Sequence, residues 1–214
     1  MIPIEERNRL LGERLVKQLQ QRHYNAVYCA TANEAVEKVL ALIPDGSSVT
    51  WGGSMTLRDM GMTKRLHERN LEVWDRDEAP SREAAQEIYR RAFYADYYLT
   101  SANAMTEDGL IVNIDGNGNR VAAITFGPKN VIFVVSINKV MQNLDAAVSR
   151  ARSVAAPINI QRFADLNTPC KADGVCHNCK SADSVCNYIH IMRNSHPAGR
   201  HTVVLVGGNE TWGY

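Results

Sequence analysis

The run Val131-Ile132-Phe133-Val134-Val135-Ser136 constrains the fold more than any other part of the chain. It is apolar up to its final serine and mostly β-branched. Such a segment suits a strand covered on both faces, at the centre of a parallel sheet with helices on either side. Ser48 to Trp51, Leu71 to Trp74, Tyr97 to Thr100 and His201 to Val206 read as further strands. Helical periodicity runs over residues 5–22, where Leu11, Leu15 and Leu19 recur at every fourth position. A second helix follows Thr31, whose spacing to Glu34 is that of a capping box. Ser54 suits the N-cap of a helix reaching about Arg69. Pro80 and Ser81 open another, with Ala84, Ile88 and Ala92 on its apolar face. A long helix from Leu144 to Val154 is expected to close at Pro157. The turn signals Asp108-Gly109 and Asp115-Gly116 flank Leu110 to Ile114 and predict a hairpin with Val121 to Thr125. Strands alternating with helices predict an α/β fold with a layered, mostly parallel sheet flanked by helices.

Composition narrows the function. The chain has 214 residues, enough for one domain with its own core. Its 24 basic and 23 acidic residues leave a formal charge of +1. That excludes the basic excess of a protein that coats nucleic acid. No apolar stretch reaches the roughly 18 residues of a membrane span. The start, MIPIEERNRLLGERL, is charged and lacks the apolar core of a secretory signal, so a cytoplasmic protein is expected.

The cysteines are the compositional anomaly. Four of the five stand at Cys170, Cys176, Cys179 and Cys186. In a cytoplasmic chain, thiols clustered like this point to a metal or to redox chemistry. Thiolates are soft ligands that select zinc, copper or iron–sulfur centres. Structural zinc usually takes two close pairs, and here only Cys176 and Cys179 form one. The wider loops suit a [4Fe–4S] cluster, and the spacing is close to that of the cluster loop in endonuclease III-type DNA glycosylases. Zinc remains the alternative. His177 lies inside the pair and is expected to be exposed. Cys29 reads as a small buried residue, and His190, His196 and His201 as structural.

Three strand exits offer a ligand site, since ligands in α/β sheets bind beyond the carboxyl ends of strands. At the first, Gly52, Gly53 and Ser54 lie between a strand and a helix, where free amides favour an anion and glycines allow close approach. A tight turn is the plainer reading. At the second, Asn103 and Thr106 are candidate ligand contacts, and Glu107 or Asp108 a candidate acid, base or nucleophile. At the third, Asn138 and Lys139 follow the most apolar strand. Lys139 is either a partner for phosphate or carboxylate or a surface lysine.

The text TSANAMTEDGLIVNIDGNGNRVAAITFGPKNVIFVVSINKV, followed by AAVSRARSVAAPINIQRF and preceded by WGGSMT, resembles the LUD domain of lactate-utilisation proteins over roughly residues 5–163. The segment CKADGVCHNCKSADSVCN resembles an extension carried by a stand-alone subgroup, so residues 164–214 are expected to be a cysteine-rich extension and a last strand packed on the same domain. The resemblance implies a fold similar to ribose-5-phosphate isomerase, glucosamine-6-phosphate deaminase and the CoA-transferases. It also implies a part in oxidising lactate beside iron–sulfur subunits.

Three functions compete. The first is a redox accessory with a cluster beside a pocket for a small organic acid or phosphate-bearing ligand, working with an iron–sulfur or flavin partner. The second is a sugar-phosphate or acyl-CoA type isomerase or transferase with a structural zinc. The third is a non-catalytic, redox-sensing binding module. Assembly into a homo-oligomer is compatible with all three.

Overall fold

The structure is a computed structural model and describes residues 2–214. Helix α1 (Pro3–Gln21) leads into strand β1 (Asn25–Cys29) and α2 (Ala32–Leu42). Then come β2 (Ser48–Trp51), α3 (Met55–Asp59), α4 (Met62–His67), β3 (Glu72–Trp74) and α5 (Arg82–Arg91). The middle of the chain forms β4 (Tyr97–Thr100), β5 (Ala104–Thr106), β6 (Ile111–Asp115), α6 (Asn119–Thr125), β7 (Asn130–Ser136) and β8 (Val140–Met141). It continues through α7 (Leu144–Arg150), α8 (Ala156–Ile160), α9 (Pro169–Asp173), β9 (Tyr188–Met192) and β10 (His201–Val206).

The main sheet has six parallel strands in the order β1-β10-β7-β4-β2-β3. This is the α/β layering that the sequence predicts. The apolar run is β7, and it lies inside the sheet. Its alternation feeds two cores: Val131, Phe133 and Val135 pack with Leu15 and Leu19 of α1, while Ile132 and Val134 pack with Val36 and Val39 of α2 and with Leu57 and Leu66. A second sheet, β8-β5-β6-β9, covers the α1 side. Met105 and Ile111 face the first core, and Ala104, Val112 and Ile114 pack on Ala147 and Ala151. Residues beyond 163 take part in both sheets, because β10 inserts between β1 and β7 and β9 pairs with β6. Among the described residues no helix is long and apolar enough to cross a membrane.

Several local expectations are corrected. Val121 to Thr125 is not a strand but lies in α6, which Asp115 caps by accepting from the Gly118 amide at 3.1 Å and the Val121 amide at 3.2 Å. The hairpin that does form joins β5 to β6 through Asp108-Gly109, with Gly109 at φ +91°. The helix expected from Ser54 to Arg69 is two helices broken at Gly61, φ +69°. Pro157 ends nothing: helical backbone runs from α7 through a π-helical turn at Ala151–Ala155 into α8, which contains it. Strands β1, β5, β8 and β9 have no counterpart in the sequence reading.

Candidate functional site

Adjacent strands β7, β4 and β2 release their chains at one edge of the main sheet, and a cleft of about 580 Å³ opens there. Gly53, Ser54, Ser101, Asn103 and Lys139 line it. Ser54 caps α3 by accepting from the Leu57 amide at 3.3 Å. Neither Gly52 nor Gly53 adopts positive φ; what they provide is room. A Cβ on Gly52 would lie 2.8 Å from both Arg120 Cδ and the Tyr98 hydroxyl oxygen, and one on Gly53 would lie 2.7 Å from an Arg76 Nη. The paired glycines therefore admit two guanidinium groups.

Arg120 of α6 holds the cleft floor together. It donates to Asn113 Oδ1 at 2.6 Å, the Ile114 carbonyl at 2.7 Å, Asn103 Oδ1 at 3.1 Å and the Ser101 carbonyl at 3.2 Å. Asn103 Oδ1 also accepts from the Ile114 amide at 2.8 Å. Arg76 and Arg162 complete the cationic lining. The acids there are engaged: Asp77 pairs with Arg58, Asp115 caps α6, and Asp183 accepts from the Asn167 amide at 2.9 Å. Three guanidinium groups and Lys139 thus share the cleft with three carboxylates that already have partners.

Lys139 is buried, 2 % exposed, so the surface-lysine reading fails. Its Nζ donates to Thr56 Oγ1 at 2.7 Å and Ser101 Oγ at 3.3 Å. Burial, then the charges of Arg150 and Arg120, pull its pKa down to about 7. The backbone of Trp212 and Gly213 covers it from one side: Thr56 donates to the Trp212 carbonyl at 3.1 Å, and a Cβ on Gly213 would lie 3.2 Å from Nζ.

The second strand exit divides. Asn103 reaches the cleft, but Thr106, Glu107 and Asp108 sit on the hairpin turn facing α1. Thr106 accepts from the Leu110 amide at 2.8 Å, Glu107 lies 3.6 Å from Arg14, and Asp108 pairs with Arg22 at 2.7 Å. Hydrogen bonding from Thr106, then Arg22, holds the Asp108 carboxyl below its usual range. Asn138 does not line the cleft, and its buried Oδ1 has no partner.

The cysteine segment forms another wall. Asp183, Ser184, Val185 and Asn187 line the cleft, and Asn187 donates to the Gly116 carbonyl at 3.0 Å. All four cysteines are free thiols on this segment. Packing around the Cys186 thiol, then the neighbouring Cys170, Cys176 and Cys179, push its pKa up to about 11, with Arg152 opposing. Among the described residues the group of three His, Cys, Asp or Glu donors within 4.8 Å of one another is His67, Asp75 and Glu78. No three cysteine sulfurs are that close. His177 is half-exposed and 2.7 Å from Asp173.

Sequence reasoning missed Arg76, Arg120 and Arg162. Nothing local marks them, since each is one arginine among many. The only trace is indirect: the Gly52-Gly53 pair that makes space for two of them.

The LUD domain family model matches residues 12–206, taking in the cysteine segment and β10. No curated protein matches the chain. Among solved structures, a DUF162 family protein from Deinococcus radiodurans is similar at a TM-score of 0.55 and 12% identity, covering 94% of this chain and 98% of that one. A D-ribose-5-phosphate isomerase is similar at 0.33 and 14%, covering 51% and 53%. The translation initiation factor eIF-2B of Pyrococcus horikoshii is similar at 0.36 and 16%, covering 53% and 48%.

Proposed function

The chain belongs to the LUD domain family, and from that premise we propose that it is a redox accessory protein in the oxidation of lactate or a related small organic acid. The acid's carboxylate binds in the cationic cleft. Cys170, Cys176, Cys179 and Cys186 hold a [4Fe–4S] cluster, and an iron–sulfur or flavin protein is the electron partner. One observation carries this reading: the segment that bears the four cysteines is also a wall of the cleft.

The donor set fits such a cluster. Four thiols converge closely enough for three to raise the pKa of the fourth. Four thiolates suffice to ligate one cubane, one to each iron. The cluster, when bound, supplies one-electron transfer. The chain's own residues do the rest. Arg76, Arg120 and Arg162 attract the carboxylate, and Ser54 and Ser101 offer hydroxyls for its remaining oxygens. Arg152 places a positive charge near the thiolates.

The test is metal and sulfide analysis with a visible spectrum on protein purified without oxygen, repeated while lactate, pyruvate or phosphate is added. About four irons and four sulfides per chain are expected, with a spectrum perturbed by the organic acid. About one zinc and no colour, with stabilisation by a sugar phosphate or acyl-CoA, would overturn this reading in favour of an isomerase or transferase. A cluster with ligand binding but no electron exchange with any partner would leave a sensing module.

A further inference from the structure

We propose that Lys139 captures the carbonyl carbon of a small 2-oxo acid as a Schiff base on the cleft floor. This rests on the organic-acid reading of the cleft and deepens it by naming the substrate class and the reacting atom.

A lysine that binds an anion by charge must stay charged. Lys139 is placed otherwise. It contributes to the cleft surface, yet no carboxylate of the described residues lies within 4.0 Å of its Nζ. The groups acting on it from the packed elements are Arg150 of α7, Arg120 of α6 and Asp59 of α3, two cations against one acid. Burial adds to their effect, so near neutral pH a large fraction of the amine is uncharged and has a lone pair to share. The Gly213 backbone packs close to Nζ, and the cleft that Lys139 helps to line is the route for a reactant.

The chemistry is complete without a co-reactant. The Nζ lone pair adds to the ketone carbon, an N–C bond forms, and the C=O π electrons move to oxygen. Protonation of that oxygen and loss of an Nζ proton give a carbinolamine. Expulsion of water then leaves C=N. Thr56 and Ser101, both hydrogen-bonded to Nζ, are placed to shuttle the protons. Nothing is oxidised or reduced. The carboxylate beside the carbonyl meets the cleft's arginines, so a 2-oxo acid satisfies both features. A 2-hydroxy acid binds by its carboxylate alone and cannot form the adduct.

The experiment treats the full chain with pyruvate and sodium cyanoborohydride, then digests it and reads peptide masses. The expected result is one reduced pyruvyl group on the peptide containing Lys139, with a yield that climbs as pH rises through about 7. Lactate gives none, and Lys139→Met removes the label. Thr56→Val, which keeps the side-chain shape, slows trapping at least about tenfold and serves if Lys139→Met fails to fold. Label spread over surface lysines and unchanged in both variants overturns the proposal. Calorimetry with pyruvate and lactate, without reductant, runs alongside. Binding of both without an adduct sinks the covalent step and spares the organic-acid reading. Absence of binding and adduct together sinks both.

Discussion

Arg120 donates to Asn103 Oδ1 at 3.1 Å and so joins helix α6 to the turn after β4, with the Ser101 and Ile114 carbonyls on the same guanidinium. Replacing it with Met strands several buried acceptors at once. Lost hydrogen bonds to a charged group predict about 3 kcal/mol of destabilisation. Carboxylate affinity should fall at least about tenfold. Arg120→Lys should retain part of the affinity but little of the stability, because one ammonium cannot span four acceptors. Urea unfolding and calorimetry on both variants check this.

Lys139 should cost stability where it serves function. Its folded pKa, about 7, lies below its ordinary 10.5. Between those values the unfolded chain binds more protons, so stability rises with pH across that window. Below about 7 the penalty for burying the charge is complete. Lys139→Met should therefore be more stable than the parent at pH 6, by up to about 5 kcal/mol at 1.36 kcal/mol per pKa unit. The difference should close above pH 10.5. Paired denaturation curves at several pH values measure it.

His201 sets an acid limit. It is buried, with Nδ1 2.9 Å from Ser195 Oγ and Nε2 3.0 Å from the Ile124 carbonyl, and burial pulls its pKa down to about 4. The stability it contributes is full above the ordinary value of 6.5 and lost as pH falls through about 4. His201→Gln should start less stable at pH 7.5 and show a flatter decline, the parent losing about 3 kcal/mol over that range. Unfolding midpoints from pH 7.5 to 4 give the comparison.

Gly12 should resist alanine although it sits inside a helix. A methyl there would lie 2.2 Å from the Tyr28 ring, and one on Gly207 would lie 1.9 Å from the Tyr28 hydroxyl oxygen. Alanine at a helix interior normally gains about 1 kcal/mol over glycine. Here crowding should reverse the sign to a loss of about 1–3 kcal/mol. In a Tyr28→Ala background Gly12→Ala should become stabilising, which a double-mutant cycle on thermal melts would reveal.

Metal loading should release protons and strengthen with pH, because Cys186 must shed a proton held up to about 11. Reconstituted iron should fall below about one per chain in Cys176→Ala/Cys179→Ala if four thiolates are needed. Cys29→Ser should leave it unchanged, since Cys29 is buried at the end of β1 and burial raises its thiol pKa. Iron assay of the reconstituted variants distinguishes the two cases.

The main sheet was legible where burial is two-sided: the run that became β7 can be nothing but an inner strand. Caps were legible too. Ser54 and Thr31 accept from Leu57 and Glu34 as their spacing implies. Short apolar runs misled. Val121 to Thr125 satisfies a strand pattern and a helix pattern equally, and only Asp115, capping the preceding turn, decides between them. Gly53, Ser54, Asn103 and Lys139 line the cleft because they follow strand exits, which the sequence marks. The arginines carry no such mark, because three elements distant in sequence bring them together.

The bond from Thr56 to the Trp212 carbonyl spans 156 positions, and that from Lys139 to Thr56 spans 83. Closing such long intervals is entropically unfavourable until the intervening layers have packed. The cover over Lys139 therefore forms only when α3, β7 and the C-terminal segment have come together. A chain halted just short of that step would have both cores and both sheets and would pass most tests of foldedness. It would still lack a reactive amine, because Lys139 would be wet and fully charged. Competence at this site is thus a property of the finished molecule, and the state of one lysine reports whether the chain has finished.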